Sequence, residues 1–218
     1  MHVDILVEDI SGKHMLDVLV PKIIGSSHTF QVRYYKGIGR LPKGMSPNSE
    51  PQKRILLDQL PRVLQGFGKT FAGYPRNCPA AVIVVCDLDD RCLKAFRTEL
   101  LGLLKRCNPA PETRFCIAIE EGEAWLLGDL HAIKSAYPQA QHPVLRSYTN
   151  DAVCGTWEKL AEAIYPGGAE KLRASGWSII GHQKSIWAQE IAPHMRIDDN
   201  QSPSFCYFRG KLREIARQ

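Results

Sequence analysis

No uninterrupted apolar run in this chain approaches the roughly 18 residues that a membrane-spanning helix needs, so no contact with a bilayer is expected. The GxxxxGK[ST] pattern of a phosphate-binding loop is missing, which excludes nucleotide hydrolysis by that route. None of the seven cysteines is spaced as CxxC. The number is odd, and Cys86 and Cys116 lie inside apolar, strand-like runs. A disulfide framework and a structural zinc site are therefore not expected. The N-terminal MHVDILVEDI has acids inside its apolar run, no basic n-region and no small-residue cleavage site. A secretory signal is not expected, and the cytoplasm is the default location. Internal repeats and low-complexity tracts are also absent.

What is present is ordinary globular material. The 218 residues are 44% hydrophobic and 23% charged, enough for a real core in one domain, or one domain with an appendage. The net charge of +5 permits contact with nucleic acid without demanding it. Its distribution is uneven. Lys36, Arg40 and Lys43 sit in the glycine-rich KGIGRLPKG, and Arg209, Lys211, Arg213 and Arg217 crowd the C-terminus. The Lys36–Lys43 stretch reads equally as a loop that tracks a phosphate backbone and as a solvated loop with no such role.

The apolar pattern alternates between strand and helix. Val3–Val7 reads as a strand, followed by a helix carrying Leu16, Leu19, Val20 and Ile23, with Ser11 as its N-cap. Thr29–Ile38 is strand-like, 39–51 is a Gly/Pro/Ser/Asn-rich loop, and Gln52–Phe67 is helical, with Pro61 at a kink or in the first turn. Ala81–Cys86 is apolar without alternation, as in a strand buried on both faces of a parallel sheet. Arg91–Arg106 is a clear amphipathic helix, and Phe115–Ile119 is a further buried strand. After about residue 130 only helices are expected: Thr156–Ile164, Ala169–Ser175, Gln183–His194 and Ser204–Ala216. The whole is an α/β fold with a mostly parallel sheet flanked by helices. Residues 1–130 form the α/β domain, and residues 131–218 a helical extension packed on it.

Acids stand where three of these strands stop. Glu8 follows the first, Asp87-Leu88-Asp89 the third, and Glu120-Glu121-Gly122-Glu123 the fourth. Ligands in open α/β sheets bind at the carboxyl ends of strands. In extended chain, residues two apart project the same way, so Asp87 and Asp89 would face one point with Leu88 turned into the core. Gathered carboxylates repel one another unless a cation compensates them. Mg²⁺ (or Mn²⁺) is the natural cation for hard oxygen ligands. Glu8, Asp87 and Asp89 are the expected metal ligands, with Glu120 or Glu123 as a further ligand or base. Lys184 is a candidate to neutralise charge in a phosphoryl-transfer transition state. Each piece has a structural reading as well. Asp89 or Asp90 suits a cap for the Arg91 helix, the Glu120–Glu123 run an acidic first turn, and Lys184 plain surface charge. His182 reads as an acid–base group or an ordinary hydrogen-bonded histidine. The four tryptophans read mainly as packing, and Ser204-Phe205 as a cap and staple.

Taken together, Glu8 after the first strand and Asp87-Leu88-Asp89 after a later one resemble the Toprim domain, the metal-binding α/β module of topoisomerases, bacterial primases and overcoming-lysogenization-defect nucleases. The longer series VEDISG, VIVVCDLDD, IEEGEAWLLGD, QKSIWAQEIAPHM and NQSPSFCYF is similar to an uncharacterised family of small Toprim-like proteins, over nearly the whole chain. The resemblance implies that Glu8 serves as acid/base and that Asp87 and Asp89 hold Mg²⁺. It also implies a partner ATPase and a role in phage defence. Toprim proteins usually place Gly directly after the first glutamate; here Asp9 follows, and glycine comes only at Gly12.

Three functions compete at this level. The first is a metal-dependent nuclease acting on nucleic acid. The second is a non-catalytic metal-binding or regulatory partner subunit of an ATPase. The third is a haloacid-dehalogenase-like phosphatase, for which hhhhDxD supplies a nucleophilic aspartate; that motif normally continues with Thr or Val where this chain has Arg91, and lies nearer the N-terminus.

Overall fold

The computed structural model describes residues 1–75, 77–152 and 155–217. Cys154 lies outside them; the other six cysteines are free. Four parallel strands form one sheet: β1 (His2–Val7), β2 (Thr29–Tyr34), β3 (Ala80–Asp87) and β4 (Thr113–Ala118), in the order β2-β1-β3-β4. Each parallel step needs a crossover helix. These are α1 (Ile10–Ile24), α2 (Leu56–Ala72) and α3 (Leu93–Lys105).

Side-chain alternation divides the core in two. Val3, Ile5, Val7, Ala81, Ile83 and Val85 face α1 and the C-terminal helices. Leu6, Val82, Val84 and Cys86 face α2 and α3. Helices on both faces explain why β3 reads as continuous apolar sequence. The C-terminal third is helical throughout the described residues: α4 (Glu123–Leu127), α5 (Leu130–Ala136), α6 (His142–Arg146), α7 (Thr156–Ile164), α8 (Gly168–Ala174), α9 (Trp177–Ile191) and α10 (Pro203–Ala216). Trp187, Ile191, Phe205, Phe208 and Leu212 belong to the same apolar cluster as β1 and β3. The extension therefore shares its core with the sheet. No helix is long and apolar enough to cross a membrane among the described residues.

Several local expectations change. Asp9, not Ser11, caps α1: its Oδ1 accepts a hydrogen bond from the Gly12 N–H at 2.7 Å. Ser11 is buried and donates instead to the Lys184 carbonyl. The second helix starts at Leu56, after a 3-10 turn at Pro51–Lys53, and runs unbroken through Pro61 to Ala72. Neither Asp89 nor Asp90 caps α3; Cys92 stands at that position without a side-chain bond. Ser202, two residues earlier than expected, caps α10 by accepting from the Phe205 N–H. Trp125, Trp157 and Trp187 are buried, whereas Trp177 is 79% exposed.

Candidate carboxylate–lysine centre

The chain leaves β1 toward β2 on one side, and later returns to place β3 on the other side of β1. That reversal opens a crevice beyond the carboxyl ends of β1 and β3, where open α/β sheets bind ligands. Glu8 and Asp87 stand there. Glu8 Oε2 lies 3.4 Å from the Asp87 backbone N–H, 79 residues away in sequence. The close approach of α1 to β1 depends on Gly12, where a Cβ would lie 2.4 Å from Val7 Cγ2.

From the opposite side, α9 packs across α1. His14 Nδ1 and Ser185 Oγ are 2.8 Å apart, and Ser11 Oγ lies 3.2 Å from the Lys184 carbonyl. This packing aims Lys184 into the crevice. Its ammonium lies 3.0 Å from Glu123 Oε2 and 3.4 Å from Glu121 Oε1. Glu123 is buried, with 2% of its side chain exposed. Its Oε2 meets the lysine at ion-pair distance but without a hydrogen bond of good angular geometry, and Glu121 Oε2 is buried with no partner. A small cavity of about 20 Å³ is lined by Glu8, Asp9, Asp87, Glu123, Lys184 and Trp125. That is room for one water or one bare ion.

The electrostatics follow from crowding. Burial, offset in part by the Asp87 N–H and increased by the charges of Asp89 and Asp9, pushes the Glu8 carboxyl up to about 7. Burial and the neighbouring Glu8 charge raise Asp87 well above the usual carboxylate range. Glu121 is also pushed up to about 7 by burial, against the pull of Lys184, and burial raises Glu123 as well. For Lys184, burial works to lower the ammonium, but Glu123, Glu121, Asp87 and Asp9 together outweigh it and hold its pKa well above the ordinary lysine value. The centre is thus a dense set of acids with one buried cation.

The expected residues come together unequally. Glu8, Asp87, Glu123 and Lys184 share the crevice. Asp89 is near enough to raise Glu8, but the extended geometry expected of Asp87-Leu88-Asp89 does not hold. The strand ends at Asp87, Asp89 has a φ of 50°, and its Oδ2 lies 3.4 Å from Arg91 NH1. Leu88 is turned into the core as expected. Glu120 points elsewhere: its carboxylate accepts from the Gly155 and Thr156 N–H groups at 2.5 and 2.7 Å, anchoring the start of α7. His182 is exposed.

Three participants were not singled out by the sequence, although Glu121 belongs to the acidic run after β4. Asp9 adds negative charge beside Glu8, Glu121 binds the lysine, and Arg91 holds both Asp89 and the Gly39 carbonyl. The Asp9-x-x-Gly12 spacing was a legible cap signal; the Arg91 contacts had none.

The crevice donors Glu8, Asp9, Asp87 and Glu123 are carboxylates, which suit a hard divalent cation; the two buried oxygens without a hydrogen-bond partner belong to Glu121 and Glu123, beside Lys184. No three histidine, cysteine, aspartate or glutamate side chains converge on one point among the described residues. Binding a cation through Glu8, Asp87 and Asp89 therefore entails turning Asp89 away from Arg91. The chain matches no family model, no curated protein and no solved structure.

Proposed function

We propose that this chain is a Mg²⁺- or Mn²⁺-dependent phosphodiester hydrolase, a Toprim-like nuclease acting on nucleic acid. The observation that carries the reading is the juxtaposition of Glu8 and Asp87 at the crevice between β1 and β3, where two acids far apart in sequence meet beside a buried lysine. Glu8, Asp87 and Asp89 would hold the cation. When bound, it would supply polarisation of a phosphate oxygen and activation of a water molecule. Glu8, titrating near neutrality, is suited to take or return a proton at pH 7. Lys184 offers positive charge to the phosphate oxygens as charge builds. Glu121 and Glu123 fix the position of its ammonium. Glu120, engaged with loop amides, has no chemical role in this scheme. The resemblance to small Toprim-like proteins supports work in phage defence with an ATPase partner.

A second reading rests on a separate observation. Lys184 is paired with Glu121 and Glu123, and a lysine committed to structural ion pairs suits a non-catalytic regulatory subunit of an ATPase.

Incubating the purified chain with supercoiled plasmid and Mg²⁺ or Mn²⁺ separates these readings. The nuclease produces nicked circles, and Asp87→Asn lowers the rate by at least about 100-fold with an unchanged melting curve. No nicking under any metal condition, alone or with an ATPase partner, sinks the nuclease. Turnover of an aryl phosphate with a trapped aspartyl-phosphate identifies the phosphatase instead.

A further inference from the structure

The opposite kind of charge gathers at the free edge of β2. Between Gln31 and Arg54 the sequence carries Arg33, Lys36, Arg40, Lys43, Lys53 and Arg54 against the single acid Glu50. That excess of five positive charges equals the net charge of the whole chain; the remainder is neutral in sum. Part of this stretch lines a groove, to which Arg33 and Arg54 contribute. A concavity of about 390 Å³ is lined by Lys13, Arg33, Tyr34, Arg54 and Arg62 together with apolar Val32 and Val63. Local acids are already engaged: Asp17 with Lys13, and Asp4 with Arg33 at 2.9 Å. Asp58 is buried and accepts from the Asn48 and Ser49 backbone N–H groups. Arg54 lies across the edge of β2, donating to the Tyr34 carbonyl with its guanidinium 4.5 Å from the Tyr34 ring centre. Arg62 and Lys36 stand exposed.

The groove is tied to the carboxylate–lysine centre by backbone. The Tyr35 N–H donates to the Val7 carbonyl at 2.9 Å, and the Gly37 N–H to the Glu8 carbonyl at 3.1 Å. Arg91, which holds Asp89, also reaches the Gly39 carbonyl. The segment leaving the basic groove therefore passes directly beside Glu8. An extended polyanion lying along it is led to the crevice.

We infer that the β2-edge groove, with Arg54 and Arg62 lining it outside any ion pair among the described residues and Lys36 exposed on the segment that leaves it, binds the phosphodiester backbone of a nucleic-acid strand and feeds it toward Glu8. Repeating phosphates match a run of cations that outnumbers its acids by five. The role in feeding substrate rests on the nuclease reading; the binding itself does not. Nucleic acid is favoured over an acidic peptide or a lipid surface because the guanidinium groups of the concavity stand beside Tyr34 and Tyr35, aromatic rings that can take bases while the cations take phosphates.

The test uses the full chain in EDTA, so that no metal-dependent step contributes. Fluorescence anisotropy is followed with a labelled 20-nucleotide single strand and with its duplex across a salt series. The wild type binds, and its affinity falls steeply with salt. Arg62→Glu/Lys36→Glu, both at exposed positions, weakens binding by roughly 10- to 100-fold and flattens the salt slope by about 1.4 for the single strand. Arg54→Glu adds to the loss, provided its melting curve is kept. Whichever of strand and duplex loses more affinity is the form the groove takes. Unchanged oligonucleotide binding in the double variant overturns the assignment, as does equal displacement by polyglutamate or by phosphatidylserine vesicles. A wild type that binds through these residues yet never nicks DNA retains the groove and loses only the nuclease.

Discussion

Lys184 Nζ lies 3.0 Å from Glu123 Oε2, and both groups are removed from solvent, with 13% and 2% of their side chains exposed. One buried ammonium therefore serves a nest of acids: Asp9 at the cap of α1, Asp87 at the end of β3, Glu121 in the turn before α4 and Glu123 at its start. Truncating it strands several carboxylates without a cation.

Lys184→Met should destabilise the chain by about 3–5 kcal/mol at pH 7.5, read from the urea midpoint. Adding Glu123→Gln should recover part of that loss, because the buried charge left behind disappears. An additive or larger loss in the double variant argues against the pair as a coupled unit.

Stability should decline as pH rises from about 4.5 to about 7. Glu8 and Glu121 both stand at about 7 in the folded chain, against an ordinary 4.5. Through that window the native state binds more protons than the unfolded state, so unfolding becomes easier as pH climbs. A fall in Tm on the order of 5 °C between pH 5 and 7.5 is expected. Glu8→Gln/Glu121→Gln should flatten the slope; an equally steep profile in that variant removes these two groups as its source.

Divalent cations should oppose that decline. At pH 7.5, Mg²⁺ or Mn²⁺ at about ten times its Kd should raise Tm by roughly 3–6 °C. At pH 5 the rise should shrink, because the ligands hold protons. Scanning fluorimetry of Asp87→Asn is the check, since an undiminished rise there would place the cation elsewhere.

Gly12→Ala should cost about 1–3 kcal/mol through overpacking, because the added methyl meets Val7 Cγ2 at 2.4 Å. The same change forces α1 away from β1 and should weaken Mn²⁺ binding, measured by paramagnetic broadening. A variant with native stability and native Mn²⁺ affinity means that this close packing does not set the crevice.

Much of the architecture was already written in local pattern. Unbroken apolar runs at β3 and β4, separated by the amphipathic face of α3, dictate strands buried on both faces and hence a parallel sheet covered by helices. The loss of strand signal after residue 130 likewise fixes a helical C-terminal third. The acids at strand ends were equally visible, because a strand's end is where its periodicity stops. Local sequence does not encode which ends become neighbours. Strand order β2-β1-β3-β4 is a product of crossover handedness and face packing, and it alone sets Glu8 beside Asp87. Nor does spacing reveal that a left-handed residue at Asp89 turns that side chain to Arg91, or that Glu120 is taken by the amides of Gly155 and Thr156. Lys184 read more readily as surface charge than as a catalyst until the packing of α9 across α1 buried it. Charge type and element type are short-range properties of the chain, whereas burial and partnership arise only when distant segments exclude water together.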